Sequence, residues 1–161
     1  MNPDADPSPT DERAALVDLP SESGMASVAR ATVRAVLEES SDVLLDTAEI
    51  DEVAVVVQEA CTNAVRHAHG LDPSKRLRVE VVRHDDALEI VVRDEGAPFD
   101  VAAPEPLRPD LLREGGYGLH IMHAWMDEVT VTHDGRGNVL RLVRRYRPAV
   151  APEGGALAGR P

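Results

Sequence analysis

Between residues 53 and 68, Val53, Ala54, Val57, Cys61, Ala64, Val65 and Ala68 recur at helical spacing, and Gly70 follows as a stop signal. A helix over about 48 to 69 that carries one such stripe needs an apolar surface wide enough to cover it. The chain supplies that surface next. LRVEVVR (77–83) and LEIVVRD (88–94) alternate Leu77, Val79, Val81 and Leu88, Ile90, Val92 around a polar connector of His84, Asp85 and Asp86, which predicts a hairpin with one core face. EVTVTH and VLRLVRRY flank DGRGN, whose glycines and asparagine suit a second hairpin. Two further helices are expected. In the first, Ser21 and Ser23 offer caps and the helix runs to about residue 38, with Met25, Val28, Ala29, Thr32, Ala35 and Val36 as its stripe and Arg30 and Arg34 opposite. The other covers about 118–127, after GGYG, with Leu119, Met122 and Met126 on one side. The short apolar segment ALVDLP before the first helix is assigned no element. About three helices laid on one face of a mostly antiparallel sheet, an α+β sandwich, bury all of these stripes at once.

Residues 1–13 and 148–161 have no apolar period and read as flexible tails, leaving one domain at 14–147. A core of roughly 130 residues is large enough to need neither disulfide nor structural metal. The single cysteine, Cys61, allows no disulfide framework, the start MNPDADPSPTDER has no apolar stretch of a secretory signal, and no run suits a membrane span, so a cytoplasmic protein is expected. Formal net charge is -12; residues 1–59 hold fourteen acids against three bases, and residues 60–161 fifteen against fourteen. With Phe99, Tyr117, Trp125 and Tyr146 as the only aromatics, the chain offers neither a basic track nor a stacking platform, which argues against direct nucleic-acid binding. Its acidic half suits a soluble surface or a basic protein partner.

Several chemistries are excluded by what the chain lacks. Lys75 is the only lysine and no G-x-x-x-x-G-K-[ST] occurs; GGYGLH follows no predicted strand, and no G-x-S-x-G is present. His120 and His123 share a helical face, but without H-E-x-x-H or a second cysteine they make a poor zinc site. Three polar features remain. Glu59 and Asn63 stack one turn apart opposite the apolar stripe, as a solvated face or as a base and a hard oxygen ligand. Asp94 ends a strand and Gly96 follows, as an ordinary turn or as an acceptor beside which a flat base approaches the backbone. Gly115, Gly116 and Gly118 open a helix, as a flexible loop end or as a phosphate cradle. Between them, residues 95–116 carry four prolines and no period, too long for a simple connector.

Taken in order, E-x-x-x-N on a helix, D-x-G after a strand, a long loop and G-x-G opening a helix resemble the N, G1 and G2 boxes of the histidine-kinase-like (GHKL) ATPases. EACTNAVRHAHG, RDEGAPFD and GGYGLHIMHAWMDEV are most similar to the anti-sigma-factor serine kinases of the RsbW and SpoIIAB type, over about residues 14–146. The resemblance implies a Bergerat-type sandwich that binds ATP and Mg²⁺. In it Glu59 is the general base, Asn63 the Mg²⁺ ligand, Asp94 the reader of the adenine amino group with Gly96 giving the base room, and Gly116 and Gly118 the phosphate cradle closing a lid at 97–115. His67, Phe99, Arg113, Gly115 and Leu119 complete the expected nucleotide contacts, Arg113 standing one residue further out than the resemblance suggests, with Glu114 nearer the glycines. The implied activity is partner switching: the kinase holds a sigma factor or phosphorylates a serine of a STAS-type antagonist, and family members commonly dimerise. The alternative is an ATP-responsive binding regulator of the same fold without phosphotransfer. The catalytic piece of a sensor histidine kinase is a poorer expectation, since about 50 residues before the second helix leave little room for a phospho-accepting helix pair.

Overall fold

A computed structural model of the chain describes residues 12–41, 43–101 and 117–146. The elements run β1 (Glu12–Pro20), α1 (Met25–Glu39), α2 (Thr47–Asn63), a π-helical turn (Ala64–Ala68), β2 (Arg76–Arg83), β3 (Ala87–Asp94), α3 (Tyr117–Trp125), β4 (Glu128–His133) and β5 (Asn138–Arg145). The strands form one five-stranded sheet in the order β1-β2-β3-β5-β4, and every neighbouring pair is antiparallel. The expected α+β class and helix-covered antiparallel sheet are both present. Residues 1–11 and 147–161, and the lid at 97–115 beyond Val101, lie outside the described residues, while Glu12 and Arg13, expected in the N-terminal tail, belong to β1.

α2 begins where Asp46 and Glu49 close a reciprocal capping box: the Glu49 N–H donates to Asp46 Oδ1 at 2.9 Å and the Asp46 N–H to Glu49 Oε2 at 3.1 Å. All seven residues of its expected stripe are buried. Val53, Val57, Cys61, Ala64 and Val65 pack in one core with Leu77, Val79, Val81, Leu88, Ile90, Val92, Leu140 and Leu142, the face of the sheet that the strand alternation assigns to the core. Each fully buried Leu or Ile, such as Leu77 or Ile90, contributes about 1.5–3 kcal/mol over its exposed state. The opposite face of the sheet is held by ion pairs, with Glu80 between Arg13 (3.1 Å) and Arg93 (3.3 Å), and Glu89 between Arg141 and His84.

Two expectations are corrected. The segment before the first helix is a strand: β1 pairs with β2 through Val17↔Val79 and Leu19↔Leu77, placing Ala15, Val17 and Leu19 against the core, and it reaches back to Glu12. In α1 the buried line is Ala29, Val33 and Leu37, while Val28 and Ala35 are exposed. The helix is turned because its two arginines are engaged by α2's flank, Arg30 donating to Gln58 Oε1 at 3.0 Å and Arg34 pairing with Asp51 at 2.8 Å. Neither Ser21 nor Ser23 caps it; Gly24 takes the N-cap position at φ 94, and Ser21 is used elsewhere.

Candidate functional site

Glu59 and Asn63 emerge from α2 on the side away from its buried stripe, both partly exposed. Where α3 starts, Gly118 sits directly on them: a Cβ there would stand 3.0 Å from Glu59 Oε2 and 3.3 Å from Asn63 Nδ2. Among the described residues neither side chain has a hydrogen-bond or ion-pair partner, although buried and half-buried polar groups elsewhere in the chain are widely bonded. Beside them opens a cleft of about 320 Å³ lined by Asn63, His67, Phe99, Asp100, Gly118 and Leu119. Five of the residues expected from sequence therefore meet around one space, and Glu59 adjoins it through Gly118. Asp100 is an addition that no motif signalled. Arg113, Gly115 and Gly116 lie outside the described residues.

Asp94 and Gly96 do not line that cleft. The Asp94 side chain is 2% exposed, and its Oδ1 accepts from the Gly96 N–H at 2.7 Å and from Asn138 Nδ2 at 2.9 Å. Oδ2 accepts no bond among the described residues, so the buried carboxylate keeps one acceptor in reserve. Gly96 has a packing reason of its own. A Cβ at this position would lie 2.3 Å from Ala68 Cβ and 2.5 Å from the Ala68 backbone carbon and oxygen, so the glycine lets β3's end close onto the π turn, where the Ala97 N–H donates to the Ala68 carbonyl at 3.4 Å.

Asn138 and His69 are the two residues that the sequence reading missed here. The sheet order places Asn138 opposite Asp94 in the β3–β5 register, where its Nδ2 also donates to the Ala97 carbonyl at 2.8 Å. Two acceptors fix which end of the amide faces them, and among the described residues the buried Asn138 Oδ1 has no partner. His69 follows the π turn, its N–H donating five residues back to the Ala64 carbonyl at 2.8 Å, and its ring is wholly buried. Nε2 accepts the Glu95 N–H at 3.0 Å, so the neutral ring carries its proton on Nδ1 and donates it to Ser21 Oγ at 2.7 Å. Burial pushes His69 below the usual imidazole range, against the pull of Asp94.

The remaining titratable candidates are used structurally. His123 Nε2 donates to the Val101 carbonyl at 2.8 Å, tying the chain after Phe99 to α3. Burial pushes the Cys61 thiol up to about 12, which leaves it unreactive. Among the described residues no group of three or more His, Cys, Asp or Glu is placed to hold a metal. An Asn63 amide oxygen at the cleft suits instead a hard cation that keeps waters and shares phosphate oxygens. Among the described residues no helix is long and apolar enough to cross a membrane.

Comparison with known proteins adds to this geometry. Residues 21–144 match the family model of the histidine kinase-like ATPase domain. The chain is 36% identical over 126 residues to an anti-sigma F factor of Geobacillus stearothermophilus, covering 74% of this chain and 84% of that one. It is 41% identical over 96 residues to the serine-protein kinase RsbW of Bacillus subtilis, covering 54% of this chain and 60% of the relative, and 40% identical over 94 residues to that of Bacillus licheniformis, covering 53% and 59%. The chain thus spans about three fifths of the length of these RsbW relatives. Among solved structures, the RsbU and RsbW domains of a Mycobacterium tuberculosis protein share the fold at a TM-score of 0.58 and 23% identity, covering 84% of this chain and 34% of that one.

Proposed function

Because the chain belongs to the histidine kinase-like ATPase domain family, we propose that it is a protein-serine kinase and anti-sigma factor that binds Mg-ATP in the cleft between α2 and α3. The observation that carries the reading is the pair Glu59 and Asn63, without a partner among the described residues and set against Gly118 at the start of α3. The names of the relatives, serine-protein kinase and anti-sigma F factor, support it.

In this reading Asn63 would hold Mg²⁺ through its amide oxygen. When bound, the ion neutralises phosphate charge. Asp94 Oδ2 accepts from the adenine amino group, and Phe99 and Leu119 give the cleft its apolar walls. Gly118 leaves phosphate oxygens access to the free N–H groups at the start of α3. Glu59 takes the proton from a serine hydroxyl of the partner as that oxygen bonds to the γ-phosphorus, and the bond from the γ-phosphorus to the bridging oxygen breaks to release ADP. The partner is a STAS-type antagonist, and the competing ligand is a sigma factor held from RNA polymerase in the cytoplasm. A phosphoserine brings a charge of about -2 to the surface of an acidic protein and so releases the antagonist.

The test is transfer of labelled γ-phosphate from ATP to a purified STAS-type antagonist. Glu59→Ala is expected to lower transfer by roughly 10²–10⁴-fold while ATP affinity stays within about twofold. Equal transfer by parent and variant would remove Glu59 as base. Mg-ATP binding by the parent without any transfer would favour the regulator that responds to ATP by binding alone.

A further inference from the structure

Behind the cleft, a buried polar chain connects three parts of the fold. Ser21, at the junction of β1 and α1, accepts from His69 Nδ1; His69 follows the π turn; and His69 Nε2 accepts the Glu95 N–H at the end of β3. Ser21 is 2% exposed and also donates its backbone N–H to the Lys75 carbonyl at 3.0 Å, so the far end of this chain is itself fixed. His69 Nε2 lies 3.9 Å from Asp94 Oδ1, whose other side is held by Asn138.

We infer that His69 is a positioning residue of the nucleotide site: as a neutral ring it holds the Glu95–Gly96 turn from which Asp94 offers Oδ2, and a second proton on it loosens that turn and weakens nucleotide binding. The inference rests on the nucleotide reading of the cleft. A ring that accepts at Nε2 cannot keep that bond once Nε2 is protonated, because the new N–H points at the Glu95 N–H. The cation would turn toward Asp94 Oδ1, 3.9 Å away, and compete with the Gly96 N–H and Asn138 for the same oxygen. The charged groups that face His69 are Asp94 and Glu95 from the end of β3, and Asp72 and Lys75 from the loop before β2. Asp94, Glu95 and Asp72 favour the cation, Lys75 opposes it, and burial, the largest influence, keeps the ring neutral. Since the folded value is depressed, the neutral network is intact through neutral pH and is lost as pH falls below the ordinary imidazole range.

The experiment is calorimetric titration with Mg-ATP between about pH 8 and about pH 5.5, on the parent and on His69→Gln and His69→Leu, each checked by thermal melting. Gln keeps an acceptor for the Glu95 N–H and does not titrate; Leu removes it. Any other proton uptake, that of the ATP γ-phosphate included, is common to all three proteins, so the difference between parent and His69→Gln isolates His69. Expected are an acid-side loss for the parent that exceeds that of His69→Gln by about twofold or more and grows as pH falls, and an affinity about tenfold below the parent for His69→Leu at the alkaline end. Identical pH profiles for parent and His69→Gln overturn the proton-sensitive role. Parental affinity in a folded His69→Leu overturns the positioning role. If His69→Leu does not fold, the comparison of parent with His69→Gln still decides. Failure of the parent to bind Mg-ATP at any pH overturns instead the nucleotide reading on which the inference stands.

Discussion

Gly96→Ala separates two reasons for a glycine beside Asp94, and the structure gives its magnitude. The added methyl carbon would stand 2.3 Å from Ala68 Cβ and 2.5 Å from the Ala68 backbone carbon and oxygen. Carbon atoms in contact sit about 3.5–4.0 Å apart, so relief needs more than 1 Å of movement between β3's end and the π turn. That movement strains the Ala97–Ala68 hydrogen bond and the His69–Glu95 bond together. Overpacking against backbone belongs at the upper end of the usual range, about 3 kcal/mol, which for a domain of this size lowers Tm by about 10 °C. Thermal melting followed by circular dichroism reads this directly. Ala68→Gly should not rescue the variant, because the Ala68 backbone carbon and oxygen remain in place. If the glycine served only to admit a flat base, Gly96→Ala would melt with the parent and lose nucleotide affinity alone. That result would refute the packing argument.

Gly118→Ala should behave in the opposite way. Its Cβ is crowded by the movable ends of Glu59 and Asn63, with Glu59 Cβ at an ordinary 3.6 Å, so melting should hold within about 1 kcal/mol of the parent or improve, while Mg-ATP affinity and phosphotransfer fall about tenfold or more as both side chains are displaced. Asn138→Ala removes the donor shared by Asp94 Oδ1 and the Ala97 carbonyl, and should cost about 1–3 kcal/mol in urea unfolding. Glu89 is raised by burial but lowered further by Arg141 and His84, so its folded pKa lies below the ordinary value of 4.5. Its contribution is therefore complete above that pH and lost as pH falls through the folded value. Glu89→Gln should lower stability at neutral pH by about 1 kcal/mol and flatten the acid limb of the stability profile.

The parts of the fold legible in the sequence are those with strong periods. α2 reads itself out because seven apolar positions repeat over four turns, and the β2–β3 hairpin because both alternations face one way. β1 escaped for a physical reason. It is an edge strand in which Leu16 is 52% exposed, a register shift falls between Arg13 and Ala15, and Ala14 and Ala15 dilute the alternation. The serines before α1 satisfied every local rule for a cap, yet Ser21 is claimed by His69, which stands 48 residues away in the chain. Likewise Asn63 could be placed because one helix face orders it with Glu59, whereas His67 and Leu119 came from the family resemblance. Asn138 could not be, since nothing local in DGRGN says that β5 will insert between β3 and β4 and set it opposite Asp94.

His69 was hidden by one added residue. Had α2 continued as an α-helix through residue 69, the side chain would have followed the phase of its stripe; the π turn bonds the His69 N–H five residues back instead of four and swings the imidazole under Glu95. The same turn presents Ala68 to Gly96. Thus the end of β3 that carries Asp94 and the helix that carries Glu59 and Asn63 are joined by backbone packing and by a buried imidazole. At Gly118 the tightest approaches of α3 to that helix are to two flexible side-chain tips. In the proposed kinase the base-reading end and the α2 backbone that carries Glu59 and Asn63 are therefore one stiff unit, and the α3 side is the part free to adjust to phosphates. Substitutions in the packing between β3's end and the π turn should alter stability and affinity together, whereas substitutions at the start of α3 should alter affinity alone.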